Sequence, residues 1–190
     1  STPVRIDLDI EGGAILDQAS INRRNQALVG LKNANPGLVI SYTLPVLPTG
    51  LVASGVNMLN SIKASGLNVN VINIMAMDYG PANDNGGQMG LSAVQAASNT
   101  HNQVVAAGLT ATIGVTPMIG INDVQSEIFQ LSDAQMLLNF ANQNSYITRL
   151  SMWSVSRDNG SCPNQGFASP VCSGIAQSNW AFSNIFKVFQ

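Results

Sequence analysis

The chain has 190 residues, long enough for one domain with a good core, and only 9% of them are charged, for a formal net charge of −2. That balance excludes a basic surface for nucleic acid, and no apolar run reaches the roughly 18 residues that a membrane span needs. Solubility is expected to rest on Asn, Gln, Ser and Thr, a surface suited to hydrogen bonding with sugars. No secretory leader is visible, as expected for an N-terminus that is processed or incomplete.

The first element is the most informative. Residues 4–13 read Val-Arg-Ile-Asp-Leu-Asp-Ile-Glu-Gly-Gly, with Ile6, Leu8 and Ile10 alternating with Asp7, Asp9 and Glu11. Successive side chains of a strand point to opposite faces, so the carboxylates share one face, roughly 6 to 7 Å apart along it. Crowded like charges shielded from water resist ionisation, and one carboxyl gains relief by keeping its proton. A carboxyl kept neutral near neutral pH is a general acid able to protonate a leaving group. Glu11 is the expected holder of that proton. It comes last on the strand, before Gly12 and Gly13, which allow a sharp turn, and parallel α/β folds bind ligands at that end. Two other readings fit the same pattern: a solvated face of an edge strand, and oxygen ligands for a hard cation in a metal-dependent hydrolase.

Further along, residues 17–35 read as a helix capped by Asp17 or Ser20, with Ile21, Leu28 and Leu31 near one face and Pro36-Gly37 as its stop. Residues 38–44 are a mostly apolar strand, as expected where both faces are covered. A helix follows over 52–65, packed by Met58, Leu59 and Ile62 and ended by Gly66. Residues 69–78 form the next strand, in which Asn73 is an interior polar group that needs a partner, Met75 and Met77 share a face, and Asp78 ends at the same rim as Glu11. The helix over 88–107 carries His101, the single histidine, in its middle. That position argues against Ser-His-Asp or Cys-His catalysis and favours a structural role. Residues 111–120 form one strand leading to Asn122 and Asp123, which sit at the rim to bond a sugar or to cap a turn. Ser132-Asp133-Ala134-Gln135 is a capping-box pattern opening a helix to about 144. The last strand, 146–154, brings Trp153 to the rim, where its flat face suits the CH-rich face of a sugar. Arg157 and Asp158 are placed to pair with each other or to line that rim, and 178–190 read as a closing helix with Trp180, Phe182, Ile185, Phe186 and Phe189 as its apolar residues.

Cys162 and Cys172 flank a polar loop. They read as a disulfide in an oxidising compartment, worth about 2 to 3 kcal/mol for so short a loop, or as free thiols in the cytosol. Two Cys and one His do not make a zinc site. Asn159-Gly160-Ser161 is a glycosylation sequon, meaningful only in a eukaryotic secretory cell.

Ile6-Asp7-Leu8-Asp9-Ile10-Glu11-Gly12 resembles the DxxDxDxE signature of the family 18 glycoside hydrolases, the chitinases. Leu44-Pro45-Val46-Leu47-Pro48-Thr49-Gly50, Asn73-Ile74-Met75-Ala76-Met77-Asp78-Tyr79-Gly80, Gly114-Val115-Thr116-Pro117-Met118-Ile119-Gly120-Ile121-Asn122-Asp123 and Leu150-Ser151-Met152-Trp153-Ser154 are similar to segments of its secreted bacterial-type members, in the same order. The chain departs at Val4, where the signature's first Asp would fall, and at Met77, where the family's MxYD motif has Tyr; Tyr79 comes one residue after Asp78. The resemblance implies a (β/α)8 TIM barrel in which the acidic strand is the fourth of eight. Residues 1–190 are then expected to be the C-terminal part of a single catalytic barrel, about the last five βα units. The other units are expected from an incomplete sequence, a fragment's missing portion or a second chain.

It further implies endo-type hydrolysis of β-1,4-linked N-acetylglucosamine polymers, with chitin or its oligosaccharides as partner, no cofactor or metal, and an extracellular location. Glu11 would be the acid, Asp9 would orient the substrate acetamide, and Asp7 would sit behind Asp9. Met75, Asp78 and Tyr79 of the MxYD-like segment would contact substrate, and Trp153 would form the floor. A non-catalytic chitin-oligomer binder on the same scaffold is the remaining alternative.

Overall fold

The computed structural model describes residues 4–189. Positions 1–3 and 190, the ends of the expected unit and of its closing helix, lie outside the described residues. Five parallel strands form one sheet: β1 (Arg5–Asp9), β2 (Val39–Pro45), β3 (Val71–Ala76), β4 (Thr112–Pro117) and β7 (Ile147–Leu150), in the order β1-β2-β3-β4-β7. Helices α1 (Gln18–Ala34), α2 (Ala53–Ser65), α3 (Met89–Ala106) and α4 (Leu131–Gln143) connect them, and a short α5 (Ala181–Phe186) packs against α4. Between β4 and α4 a small antiparallel hairpin, β5 (Gly120–Ile121) with β6 (Ile128–Phe129), stands outside the main sheet.

The two faces of the sheet differ because the strands alternate. Ile40, Tyr42 and Leu44 of β2, Ile72 and Ile74 of β3, and Ile113 and Val115 of β4 are fully buried, as are Met58, Leu59 and Ile62 of α2 and Leu137 of α4. Each such side chain contributes about 1.5 to 3 kcal/mol by leaving water. Tyr42 ties the layers together by donating to Asn25 Oδ1 of α1 at 2.6 Å. The opposite face carries Asp7, Ser41, Thr43, Asn73 and Thr116, all polar. In the ladder Asp7 stands beside Ser41, Asp9 beside Thr43, and Thr43 beside Asn73.

Helix ends follow local chemistry. Asp17 caps α1 by accepting the Ser20 N–H at 2.9 Å, and Gly66 ends α2 in the left-handed region with φ 73°. The capping box of α4 opens two residues earlier than the sequence pattern suggests. Gln130 is the cap, and Asp133 accepts its N–H at 2.7 Å, so the box does not begin at Ser132.

Three other expectations are corrected. The expected strand 111–120 ends at Pro117, which has no N–H to extend a ladder, and the chain turns into the hairpin. The closing helix covers only Ala181–Phe186, leaving Trp180 half exposed outside it. Arg157 and Asp158 neither pair nor line the rim. Buried Arg157 donates to the carbonyls of Ile119, Ile121 and Ser169, while the buried Asp158 carboxylate accepts the N–H groups of Phe182 and Ser183 at 3.0 and 2.8 Å.

Cys162 and Cys172 are joined, with Cα atoms 6.0 Å apart. The Asn159 amide nitrogen is committed to the carbonyls of Ser156 and Val171 at 3.0 and 2.8 Å, which leaves this sequon's acceptor nitrogen engaged in the folded chain. His101 stacks on Tyr146 with ring centroids 3.9 Å apart, a packing role on the helical layer.

Gly120 has φ 74°, and a Cβ there would lie 1.9 Å from the Ser173 carbonyl oxygen. Gly120→Ala is therefore expected to destabilise the fold by on the order of 3 kcal/mol, read as a lowered midpoint in denaturant unfolding.

Candidate active site

The acidic strand sits on the polar face with its alternation intact past its end. Glu11 lies two residues beyond β1 with extended backbone, φ −142° and ψ −179°, so it continues the side of Asp7 and Asp9 before the chain turns into a 3-10 helix at Gly12–Ile15. Glu11 is exposed and lines a cavity of about 360 Å³ together with Pro45, Val46, Leu47, Met75, Met77 and Asp78. Every one of these comes from the C-terminal end of a strand or the loop after it. A larger cleft of about 630 Å³ lies between α1 and α2, but amides and hydroxyls such as Gln18, Asn22, Asn57 and Ser61 line it, without a titratable group. The acidic strand opens into the smaller cavity.

Asp7 is the best anchored of the three carboxylates. It accepts from the Ser41 hydroxyl, from Thr43 Oγ1 at 2.7 Å and from Arg149 Nη1 at 3.1 Å. Arg149 Nη1 also donates to Ser41 Oγ at 3.0 Å. The network runs on across the face. Asn73 Nδ2 donates to Thr43 Oγ1 at 3.1 Å and to Thr116 Oγ1 at 2.8 Å, which answers the need for a partner inside β3. Gly114 makes room for it, since a Cβ there would lie 2.6 Å from Asn73 Oδ1 and 3.2 Å from Arg149 Cβ. Asp9 stands between the anchored Asp7 and the cavity. Partial burial raises its carboxyl above the ordinary value, and the Asp7 charge raises it further.

The second wall is the turn after β3. Asp78 lies two residues beyond the strand with φ 51°, and its Oδ1 accepts the Val124 N–H of the hairpin at 2.9 Å. Burial raises its carboxyl and the Asp123 charge adds to this, while the N–H groups of Val124 and Asp123 and the Arg157 charge act against it. Met75 is half-buried on the cavity wall. Trp153 lies three residues beyond β7, more than half exposed, and bridges to Met118, with its N–H bonded to the Pro117 carbonyl at 2.9 Å. It stands at the rim but is not among the residues lining the 360 Å³ cavity.

Two of the expected contact residues are buried. Tyr79 is only 4% exposed and its hydroxyl is buried without a partner among the described residues. Asn122 is fully buried and spends its amide on the carbonyls of Met118 and Gly120 at 2.8 and 3.0 Å, which shapes the hairpin. Asp123 is exposed on the same hairpin and acts on the site through its charge on Asp78. Among the described residues no three His, Cys, Asp or Glu side chains converge as a metal-ligand set.

Arg149, Ser41 and Thr43 are the functional neighbours that the sequence reading passed over. A period-two reading of Ile147-Thr148-Arg149-Leu150 misses Arg149, because it keeps Arg149 on the face of Ile147; a register shift in the ladder, which pairs Ile147 with Ile113 but Arg149 with Gly114, brings it to the polar face. Glu127 was passed over as well. It is fully buried and accepts the N–H groups of Tyr79 and Gly80, and nothing in its local sequence marks it.

No family model matches the chain. Over 204 residues it is 39% identical to a probable bifunctional chitinase/lysozyme of Escherichia coli (strain K12), an alignment covering 97% of this chain and 22% of that protein. It is also 39% identical over 170 residues to endochitinase 11 of Metarhizium anisopliae, covering 80% of this chain and 32% of that one. The catalytic domain of a hyperthermophilic chitinase from Pyrococcus furiosus superposes with a TM-score of 0.83 at 31% identity, over 98% of this chain and 60% of that one. Catalytic-site mutants of a Pyrococcus furiosus chitinase complexed with chito-oligosaccharides match equally well. The chain thus spans a third or less of the length of the curated relatives. Its parallel sheet with covering helices is a section of an α/β barrel.

The Asp7–Asp9 coupling has a signed test. Asp7→Asn removes one of the two causes that raise Asp9, so the Asp9 midpoint in a side-chain carboxyl NMR titration is expected to fall. Arg149→Met leaves the Asp7 charge unopposed and is expected to raise that midpoint. A midpoint unmoved in both variants would show that burial alone sets it.

Proposed function

We propose that this chain, a homologue of chitinase catalytic domains that resembles the family 18 glycoside hydrolases, carries the hydrolytic centre of an enzyme that cleaves β-1,4-linked N-acetylglucosamine polymers internally. One observation supports this most: Asp7, Asp9 and Glu11 hold one side of an extended segment whose last member opens into the cavity that Asp78 and Met75 also line.

The reaction proceeds by substrate assistance, an exception to the usual protein-nucleophile scheme of retaining glycosidases. Glu11 gives its proton to the glycosidic oxygen as the C1–O bond breaks. The carbonyl oxygen of the substrate's own acetamide attacks C1 and forms a bicyclic oxazolinium ion, whose positive charge the Asp9 carboxylate faces. Asp9 orients the acetamide beforehand, and the charge of Asp7 behind it helps to raise the Asp9 carboxyl. Asp78, fixed by the Val124 N–H, holds the acetamide. Tyr79, whose hydroxyl is buried, takes no part. Trp153 offers its exposed face as the floor of the sugar-binding cleft. Glu11 then takes a proton from water as the water attacks C1, the oxazolinium opens, and the configuration at C1 is retained. The Cys162–Cys172 disulfide supports placing the protein outside the reducing cytosol.

Incubating the purified protein with a chitin tetramer, with and without a chelator, and following products by mass tests the reading. Cleavage is expected in both samples, and Glu11→Gln is expected to lower the rate by about 10² to 10⁴-fold. Absence of cleavage, or its loss on chelation, would contradict the scheme.

A further inference from the structure

The turn that presents Asp78 is held from beneath by a carboxylate that the reaction does not use. Glu127 precedes β6 and is 0% exposed. Its Oε1 accepts the Gly80 N–H at 2.7 Å and its Oε2 the Tyr79 N–H at 3.1 Å, so each oxygen holds one of the two residues that follow Asp78. The hairpin grips Asp78 a second time through the Val124 N–H on its side chain at 2.9 Å. It is itself closed by Glu127, whose N–H donates to Val124 O at 2.8 Å and whose carbonyl accepts the Asn122 N–H at 2.9 Å. Asp78 needs this grip. Its backbone lies in the left-handed region at φ 51°, an uncommon conformation for a residue with a Cβ, though Asp adopts it more readily than most.

We infer that Glu127 is a positioning residue for Asp78: its carboxylate clamps the Tyr79 and Gly80 N–H groups and so fixes the turn that aims Asp78 into the cleft. The inference rests on the function proposed above for Asp78. A buried carboxylate with only two neutral donors is costly unless both bonds are kept, so the clamp is intolerant of change. Burial raises the Glu127 carboxyl above its ordinary value, the two N–H groups lower it, and the charges of Asp78 and Asp84 raise it. Those two carboxylates and the Tyr79 phenol are the titratable groups facing it. Gln at position 127 keeps the shape but turns an NH2 toward one of the N–H groups, and one bond is lost.

The test is a double-mutant cycle with Glu127→Gln, Asp78→Ala and the pair, all checked for an unchanged thermal midpoint. Glu127→Gln is expected to lower kcat by about tenfold or more with KM changed less than about twofold, because small misplacement of a positioned group costs rate more than binding. In the Asp78→Ala background the same change is expected to cost less than about twofold. Additive losses would overturn the inference. Amide NMR of the protein supplies a readout that does not need turnover. The Tyr79 and Gly80 amide signals are expected to move with pH along one shared curve that Glu127→Gln abolishes, and the Asp78 signals are expected to move in that variant. Asp78 signals unmoved in Glu127→Gln would overturn the clamp, whereas a wild-type protein that cleaves no chitin oligomer but keeps the shared curve would overturn only the function proposed for Asp78.

Discussion

Asp7 meets Arg149 across the polar face of the sheet, and the cleft is built outward from that contact. The ion pair is partly open to water, with side chains 45% and 22% exposed, so its worth to stability is small. Its weight lies in orientation and charge. A carboxylate bonded to Ser41, Thr43 and a guanidinium has few lone pairs left and cannot rotate. Asp9 is the next residue on that face, between the anchored Asp7 and the exposed Glu11.

The same division of labour explains why the sheet has one polar face. Toward the helices the strands offer Ile40, Leu44, Ile72, Ile74, Ile113 and Val115, and this apolar burial carries the stability. The other face is then free to hold Asp7, Ser41, Thr43, Asn73, Thr116 and Arg149, each satisfied by a neighbour. The second wall is made by a hairpin inserted after β4, whose buried Glu127 and Asn122 spend their polar groups on backbone rather than on ligand.

The strands and helices were legible because their periods are clean. The alternation over residues 4–11 placed three carboxylates on one side, and the stripes of α1 to α4 emerged within a residue or two of their limits. The hairpin was not legible. Residues 111–121 run through Ile, Val, Met and Ile without a charged residue, and only the missing N–H of Pro117 and the left-handed Gly120 break them. That error carried Asn122 with it, because a residue at a strand end would face a ligand whereas Asn122 inside a tight hairpin is buried. Tyr79, one residue past Asp78, is likewise buried. Glu127 had no signal at all, since a buried carboxylate paired only with backbone N–H groups needs no complementary residue anywhere in the sequence.

The central claim is that the acidic strand works through the substrate's own acetamide with retained configuration. Proton NMR of the first products released from a chitin oligosaccharide, recorded before the anomers equilibrate, tests it most directly. The account predicts that the new reducing ends appear as the β anomer and only later relax to the mixture. Initial release of the α anomer would mean that water attacked C1 directly, and would contradict the roles given to Asp9 and Glu11.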